Sequence, residues 1–223
     1  MKNIIKPKAV IFDMDGTLVD NIPFHKKAWL TFLAKHNIHL EPEHFNAQNH
    51  GTIDEMIKRF FGENLNPKRI TELGFEKEQT YRYLYREHIS EIEGLTKFLR
   101  NLKNQNIKIG LATMGDIPNI DFILDALQIR DYFDGIVGGH MISKGKPDPE
   151  IFNTVATLLH VENNDCLVFE DSIGGVRSAR SANMCVIGIM TTESSDDLKA
   201  NGCFRTIKSF VECCDVDFLK STT

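Results

Sequence analysis

Ala9-Val10-Ile11-Phe12-Asp13-Met14-Asp15-Gly16-Thr17 is the stretch that decides the fold: an apolar run, then two carboxylates one residue apart, then a glycine. An unbroken apolar run suits a strand buried on both faces, as in a parallel sheet. Residues two apart on a strand share a face, and Gly16 lets the chain turn sharply so that Asp13 and Asp15 reach one small volume. The carboxyl edge of a parallel sheet is where such folds bind ligands. An acidic turn closed by an Asx hydrogen bond would spell the same letters without any chemistry. The rest of the chain must decide between the two.

Further apolar runs follow at Ile107–Ala112, Gly135–Gly138, Cys166–Phe169 and Met184–Ile189, and the first extends back to Lys8. Helical patterns at Leu95–Gln105, Ile117–Gln128, Pro149–His160 and Ile173–Asn183 separate most of them. This alternation predicts a doubly wound α/β core with a parallel sheet and crossover helices. Residues 20–90 break the rhythm, with helix-like segments at Ile22–His36, Thr52–Phe61 and Pro67–His88 and no strand pattern. The sequence therefore predicts an all-helical domain of residues 20–90 inserted into a core of residues 1–19 and 91–223. Asn183 is expected to stop its helix in the left-handed conformation.

A chain of 223 residues, 42% hydrophobic and 26% charged, fits an ordinary globular protein. Its net charge of -5 argues against a nucleic-acid partner. Pro7 and Lys8 interrupt the N-terminal apolar stretch and Asp13 ends it early, so no signal peptide is expected, and no apolar run reaches the length of a membrane span. The expectation is a cytoplasmic monomer. The cysteines, Cys166, Cys185, Cys203, Cys213 and Cys214, form no CxxC pair and are odd in number, so neither a zinc site nor a disulfide framework is expected. They read as small buried hydrophobes, with Cys213 and Cys214 oxidisable if exposed.

Polar residues stand after other strands as well: Thr113 after Ile109-Gly110-Leu111-Ala112, Glu170-Asp171 after Leu167-Val168-Phe169, and Lys146 in the loop Lys144–Pro149 before a helix. Each has a bland reading: Thr113 as a helix N-cap, Glu170-Asp171 as a helix-start pair, Lys146 as a surface charge. All of them falling by chance on one sheet edge is hard to credit. A carboxylate attacking a phosphate dianion meets repulsion of about 8 kcal/mol at about 4 Å, counting each pair of unit charges at about 4 kcal/mol with an effective dielectric of about 20. Uncompensated, that costs roughly six powers of ten in rate. The reaction needs a divalent cation and a fixed ammonium beside the nucleophile. Asp13, Asp15, Glu170 and Asp171 form a hard-oxygen set suited to magnesium, Lys146 supplies the ammonium, and Thr113 can donate to a phosphoryl oxygen. Asp13 is then the nucleophile, giving an aspartyl phosphate, and Asp15 the general acid and base.

With these residues in place, nearly the whole chain resembles the haloacid dehalogenase superfamily, in its branch of β-phosphoglucomutase-like enzymes and small-molecule phosphatases. The motifs run in order as Phe12–Thr17, Ala112-Thr113, Gly145–Pro149 and Phe169–Ser172. The resemblance implies a Rossmann-like core with a helical cap, Asp13 as nucleophile and metal ligand, Asp15 as acid and base, and Glu170 and Asp171 completing a magnesium site. An aspartate at position 15 points to phosphoryl transfer, since the dehalogenases lack it there. In the cap, His25 and Trp29 look like a histidine and tryptophan of β-phosphoglucomutase, against a plain packing role. The cap loop His50-Gly51-Thr52-Ile53-Asp54-Glu55 matches the stretch with which mutases hold a second phosphate, making Gly51 and Thr52 candidate substrate contacts. Asp54 stands where an arginine is expected, which weakens the mutase reading. Met114, beside Thr113, replaces the usual small or amide residue and leaves fewer polar contacts to substrate. His140 occupies a position that often holds an aspartate, and no role follows for it.

The leading expectation is a magnesium-dependent phosphatase acting on a small phosphorylated metabolite, a sugar phosphate, with a β-phosphoglucomutase-like phosphomutase as the alternative. A phosphatase releases free phosphate, while a mutase yields an isomeric sugar phosphate and is stimulated by a bisphosphate. A receiver-like signalling module phosphorylated on Asp13 is the reading from another class. Receivers lack an inserted cap, and a cap that excludes water serves turnover.

Overall fold

The computed structural model describes residues 6–49 and 51–213. In chain order the described elements are β1 (Ala9–Phe12), α1 (Ile22–Lys35), α2 (Pro42–Gln48), α3 (Ile53–Phe61), α4 (Pro67–Tyr85), α5 (Leu95–Asn104), β2 (Lys108–Ala112), α6 (Ile117–Leu127), β3 (Gly135–Val137), α7 (Glu150–Leu159), β4 (Cys166–Glu170), α8 (Ile173–Ser181), β5 (Cys185–Ile189), α9 (Ser195–Ala200) and β6 (Arg205–Ile207). All strand pairs are parallel, in the order β3-β2-β1-β4-β5-β6. The doubly wound α/β sheet is the one the sequence predicts. The winding reverses between β1 and β4, and at that switch point the carboxyl ends of both strands border one crevice.

Burial on both faces explains why β1 is apolar throughout. Ile11 belongs to one apolar cluster with Val168, Val186, Phe152 and Val155 of α7, and Val176 and Ala179 of α8. Phe12, next along the strand, takes the other face, where it stacks on Phe169 at 5.2 Å between ring centroids and meets Phe98 of α5 and Phe210. Fully burying a side chain of this size contributes about 1.5–3 kcal/mol. This packing fixes β1 against β4, so the residues just beyond Phe12 and Phe169 are held in register.

Contacts divide the chain into two compact units, one running to Asp20 and resuming at Ser90, the other Asn21–Ile89. In the first, the exit and return of the chain are tied together: Val19 bridges Glu91, and the Ile92 N–H donates to the Leu18 carbonyl at 2.8 Å. The second is helical among the described residues. Its apolar cluster gathers Trp29, Phe32 and Leu33 of α1, Phe45 of α2, Met56 and Ile57 of α3, and Ile70 and Leu73 of α4. Thr52 and Glu55 form a reciprocal capping box on α3, and Asn66 caps α4.

Three elements escape the sequence reading: α2, α9 and β6. Helices of seven and six residues are too short to show a period, and β6, an edge strand reading Arg205-Thr206-Ile207, carries no apolar run. The N-cap role considered for Thr113 is corrected, while Glu170-Asp171 do stand directly before the cap of α8. Asp116 caps α6, accepting from Asn119 N–H, and Ser172 caps α8, accepting from Gly175 N–H. Asn183 is left-handed at φ 61°, as the sequence predicts, and Met184 N–H reaches back to the Ala179 carbonyl. Among the described residues no helix is long and apolar enough to cross a membrane. Cys166, Cys203 and Cys213 are buried, Cys185 is half-buried, and these form no disulfide with one another. Burial pushes the Cys166 and Cys203 thiols up to about 12. Cys214 and His50 lie outside the described residues.

Candidate active site

Asp13 is the first residue beyond β1, and its N–H donates to the Phe169 carbonyl at 3.0 Å, which extends the β1–β4 pairing to the nucleophile candidate itself. Glu170 ends β4 and Asp171 follows it. One oxygen from each of Asp13, Glu170 and Asp171 lies within 4.8 Å of the others, and all three residues are buried. Lys146 joins them from the loop before α7. Its Nζ donates to Asp13 Oδ1 at 2.5 Å and to Glu170 Oε1 at 2.6 Å, and sits 5.1 Å from the centre of the Phe152 ring.

The loop carrying Lys146 is held from two sides. Ser178 Oγ, buried on α8, donates to the Asp148 carbonyl at 2.6 Å. The Glu150 carboxylate accepts from the N–H groups of Ser143 and Lys144, at 3.0 and 2.8 Å. Glu170 is held too, since Oε2 accepts from Ser172 N–H at 2.7 Å and Ser172 Oγ at 3.0 Å. Gly175 makes room for it, because a Cβ there would overlap the Glu170 carboxylate. Gly16, at φ +79°, likewise lies beneath Asp171, whose carboxylate a Cβ there would overlap. Thr113 is buried at the end of β2, its N–H on the Val137 carbonyl at 3.1 Å and its Oγ1 accepting from Gly115 N–H at 3.0 Å.

Burial pushes Asp13 up to about 8 against the pull of the Lys146 ammonium, with Glu170 and Asp15 adding to the rise. Asp171 is raised well above the usual carboxylate range by burial, then by Glu170 and Asp13. Lys146 is raised despite burial, because Asp13 and Glu170 favour its charged form. One ammonium thus faces three clustered carboxylates, and the excess negative charge in a dry site is what a divalent cation neutralises. The donor set, all hard oxygens, fits magnesium. Asp15 is half-buried beside this cluster and raises Asp13 through its charge, but its carboxylate is not one of the three that converge.

In the helical unit, His25 stacks on Tyr81 at 3.7 Å and lies 3.0 Å from Lys77 Nζ. Trp29 is 4% exposed and packs against Phe32 and Phe60. Thr52 spends its side chain capping α3, and Gly51 stands exposed above Glu55. In the core, Met114 is 39% exposed.

Sequence reasoning passed over Lys77, Thr191, Thr192 and Ser178. Lys77 is 3% exposed, with Glu78 at 2.7 Å and the Trp29 ring centre at 5.2 Å. Its signal is positional: it falls on the buried stripe Ile70, Leu73, Gly74, Lys77, Tyr81, Tyr85 of α4. Thr191 and Thr192 come after β5 but behind Met190, so the position directly after the strand, which picks out Thr113 beyond β2, misses them. Ser178 looks like any small residue of a helix.

The doubly wound sheet with an acidic cluster and a lysine at its carboxyl edge is the frame of a phosphoryl-transfer enzyme, and comparison with known proteins gives the family. Residues 10–189 match the family model for haloacid dehalogenase-like hydrolases. The β-phosphoglucomutase of Bacillus subtilis is 35% identical over 189 residues, 82% of this chain and 83% of that one. A phosphorylated carbohydrates phosphatase of Thermotoga maritima is 32% identical over 181 residues, 79% of this chain and 82% of its own. A family IA hydrolase structure from Entamoeba histolytica superimposes with a TM-score of 0.86 at 29% identity, covering 96% of this chain and 99% of that one. The chain belongs to the haloacid dehalogenase-like hydrolase family, on the branch of phosphatases and phosphomutases.

Proposed function

We propose that the chain is a magnesium-dependent phosphatase that hydrolyses a small phosphorylated metabolite, a sugar phosphate, through an aspartyl phosphate on Asp13. The observation that carries this reading is the Lys146 ammonium shared between Asp13 and Glu170, with Asp171 closing the same cluster. Lys146 orients Asp13 and offsets its repulsion with the incoming phosphate. Magnesium held by Asp13, Glu170 and Asp171, with Asp15 beside them, would supply the remaining positive charge.

Asp13 attacks phosphorus in line, forming a carboxylate oxygen–phosphorus bond as the bond to the leaving oxygen breaks. Asp15 donates a proton to that oxygen and then takes one from the water that cleaves the acyl phosphate. The Thr113 hydroxyl, oriented by Gly115 N–H, donates its hydrogen to a phosphoryl oxygen. The helical unit serves as the cap, with His25, Lys77 and Tyr81 as its polar cluster.

The relatives act on phosphorylated sugars by name, which supports that substrate class. A phosphomutase is the second reading, favoured by the likeness to β-phosphoglucomutase. Against it, Thr52 and Glu55 are spent on capping α3, Asp54 in its first turn is exposed, and the Arg59 guanidinium is tied to the Gln48 carbonyl at 2.8 Å. A phosphate-release screen over phosphorylated metabolites, with and without magnesium, should find activity that Asp13→Asn abolishes. Isomerisation stimulated by a bisphosphate, without net phosphate release, would favour the mutase instead.

A further inference from the structure

We propose that Thr192 is a positioning residue that sets the Asp171 carboxylate for the divalent cation; the proposal rests on the cation reading above. Asp171 is 2% exposed and follows the end of β4. Its two oxygens are held by hydroxyls from two different loops: Thr17 Oγ1 donates to Oδ1 at 3.3 Å, and Thr192 Oγ1 donates to Oδ2. Thr17 belongs to the turn after β1 and Thr192 to the turn after β5, so the carboxylate is gripped at both edges and its plane is fixed.

The loop that presents Thr192 is itself anchored. Thr191 Oγ1 donates to the Gly16 carbonyl at 2.5 Å, and Met190 N–H donates to the Ile207 carbonyl at 2.9 Å. Gly16 is also the residue over which Asp171 lies, for a Cβ there would overlap Oδ2, the oxygen that Thr192 holds. The Thr191-Thr192 pair therefore ties the turn bearing Asp13 and Asp15 to the carboxylate from β4. The parts of the proposed cation site that come from different strands are brought to one geometry by a third. A hydroxyl on a ligand carboxylate acts as the outer partners of metal ligands do, and losing such a partner costs about 10–100-fold in metal affinity or activity.

The test titrates magnesium alone into the metal-free full chain by calorimetry, for the parent, Thr192→Val and Thr192→Ser. Valine keeps the shape and removes the hydroxyl; serine restores it. The assignment expects magnesium binding weakened about 10–100-fold by valine and brought back close to the parent by serine. In phosphate release, the magnesium requirement should rise while kcat at saturating magnesium stays within a few-fold of the parent. Parent-like magnesium affinity in Thr192→Val overturns the assignment, as does a serine variant as weak as the valine. If the parent itself binds no magnesium, the cation reading falls and takes this assignment with it, a result distinct from the others.

Discussion

Gly175→Ala separates helix stability from site geometry. Gly175 is the third residue of α8, where replacing glycine by alanine ordinarily stabilises a helix by about 0.5–1 kcal/mol. Here the added Cβ falls on the Glu170 carboxylate, closest to Oε1, the oxygen that accepts from Lys146 at 2.6 Å. Glu170 must swing away and lose Lys146, and breaking a buried ion pair costs about 3–5 kcal/mol. The net expectation is a protein destabilised by about 2–4 kcal/mol, once the helix gain is subtracted from the lost pair. Activity should fall about 100-fold or more, because Lys146 no longer bridges Glu170 and Asp13. Urea unfolding and phosphate release, measured on one preparation, read both effects. A variant more stable than the parent with undiminished turnover would refute this geometry.

Other perturbations test neighbouring links. Ser178→Ala removes the buried donor to the Asp148 carbonyl and should cost about 1–3 kcal/mol in urea unfolding, with a several-fold loss of kcat as the Lys146 loop loosens. No change in either would detach that loop from α8. The pH dependence follows from Asp13, whose folded-state value is raised from 3.8 to about 8. The folded site binds a proton that the unfolded chain has released, so this stabilisation is complete below about pH 4 and lost as pH rises toward 8. Melting of the metal-free protein should fall across that window and magnesium should flatten the slope; a rising curve without metal would contradict the burial argument. Phe12→Ala should destabilise by about 3–5 kcal/mol in chemical denaturation, because the Phe12 ring locks β1 to β4. A loss below about 1 kcal/mol would show that the aromatic face does not set the register.

The core of the fold was legible because each buried parallel strand is an apolar run and each crossover helix spans enough residues to show its period. The site was legible for a related reason: a charged or hydroxyl residue directly after such a run must stand at the sheet's carboxyl edge. Asp13, Thr113, Glu170 and Asp171 all follow that rule. Lys146 does not follow a strand, and its Pro- and Gly-rich loop marked it instead. What escaped was either short, as with α2, α9 and β6, or dependent on three-dimensional neighbours. Nothing in the letters Ser178 or Gly175 says that one pins a loop thirty residues away in sequence and the other leaves space for a carboxylate. Lys77 was hidden because a lysine in a polar stretch reads as solvated, although its place on the α4 stripe contradicts that.

The central claim is that Asp13 carries the phosphoryl group during turnover. It is tested most directly by acid-quenching the enzyme during steady-state turnover of the best substrate from the screen, reducing with borohydride, and mapping the peptides by mass spectrometry. An acyl phosphate on Asp13 would be converted to homoserine at position 13, and Asp13→Asn would give neither the product nor turnover. Undiminished turnover by Asp13→Asn, or a phosphoryl adduct at another residue, would contradict the account.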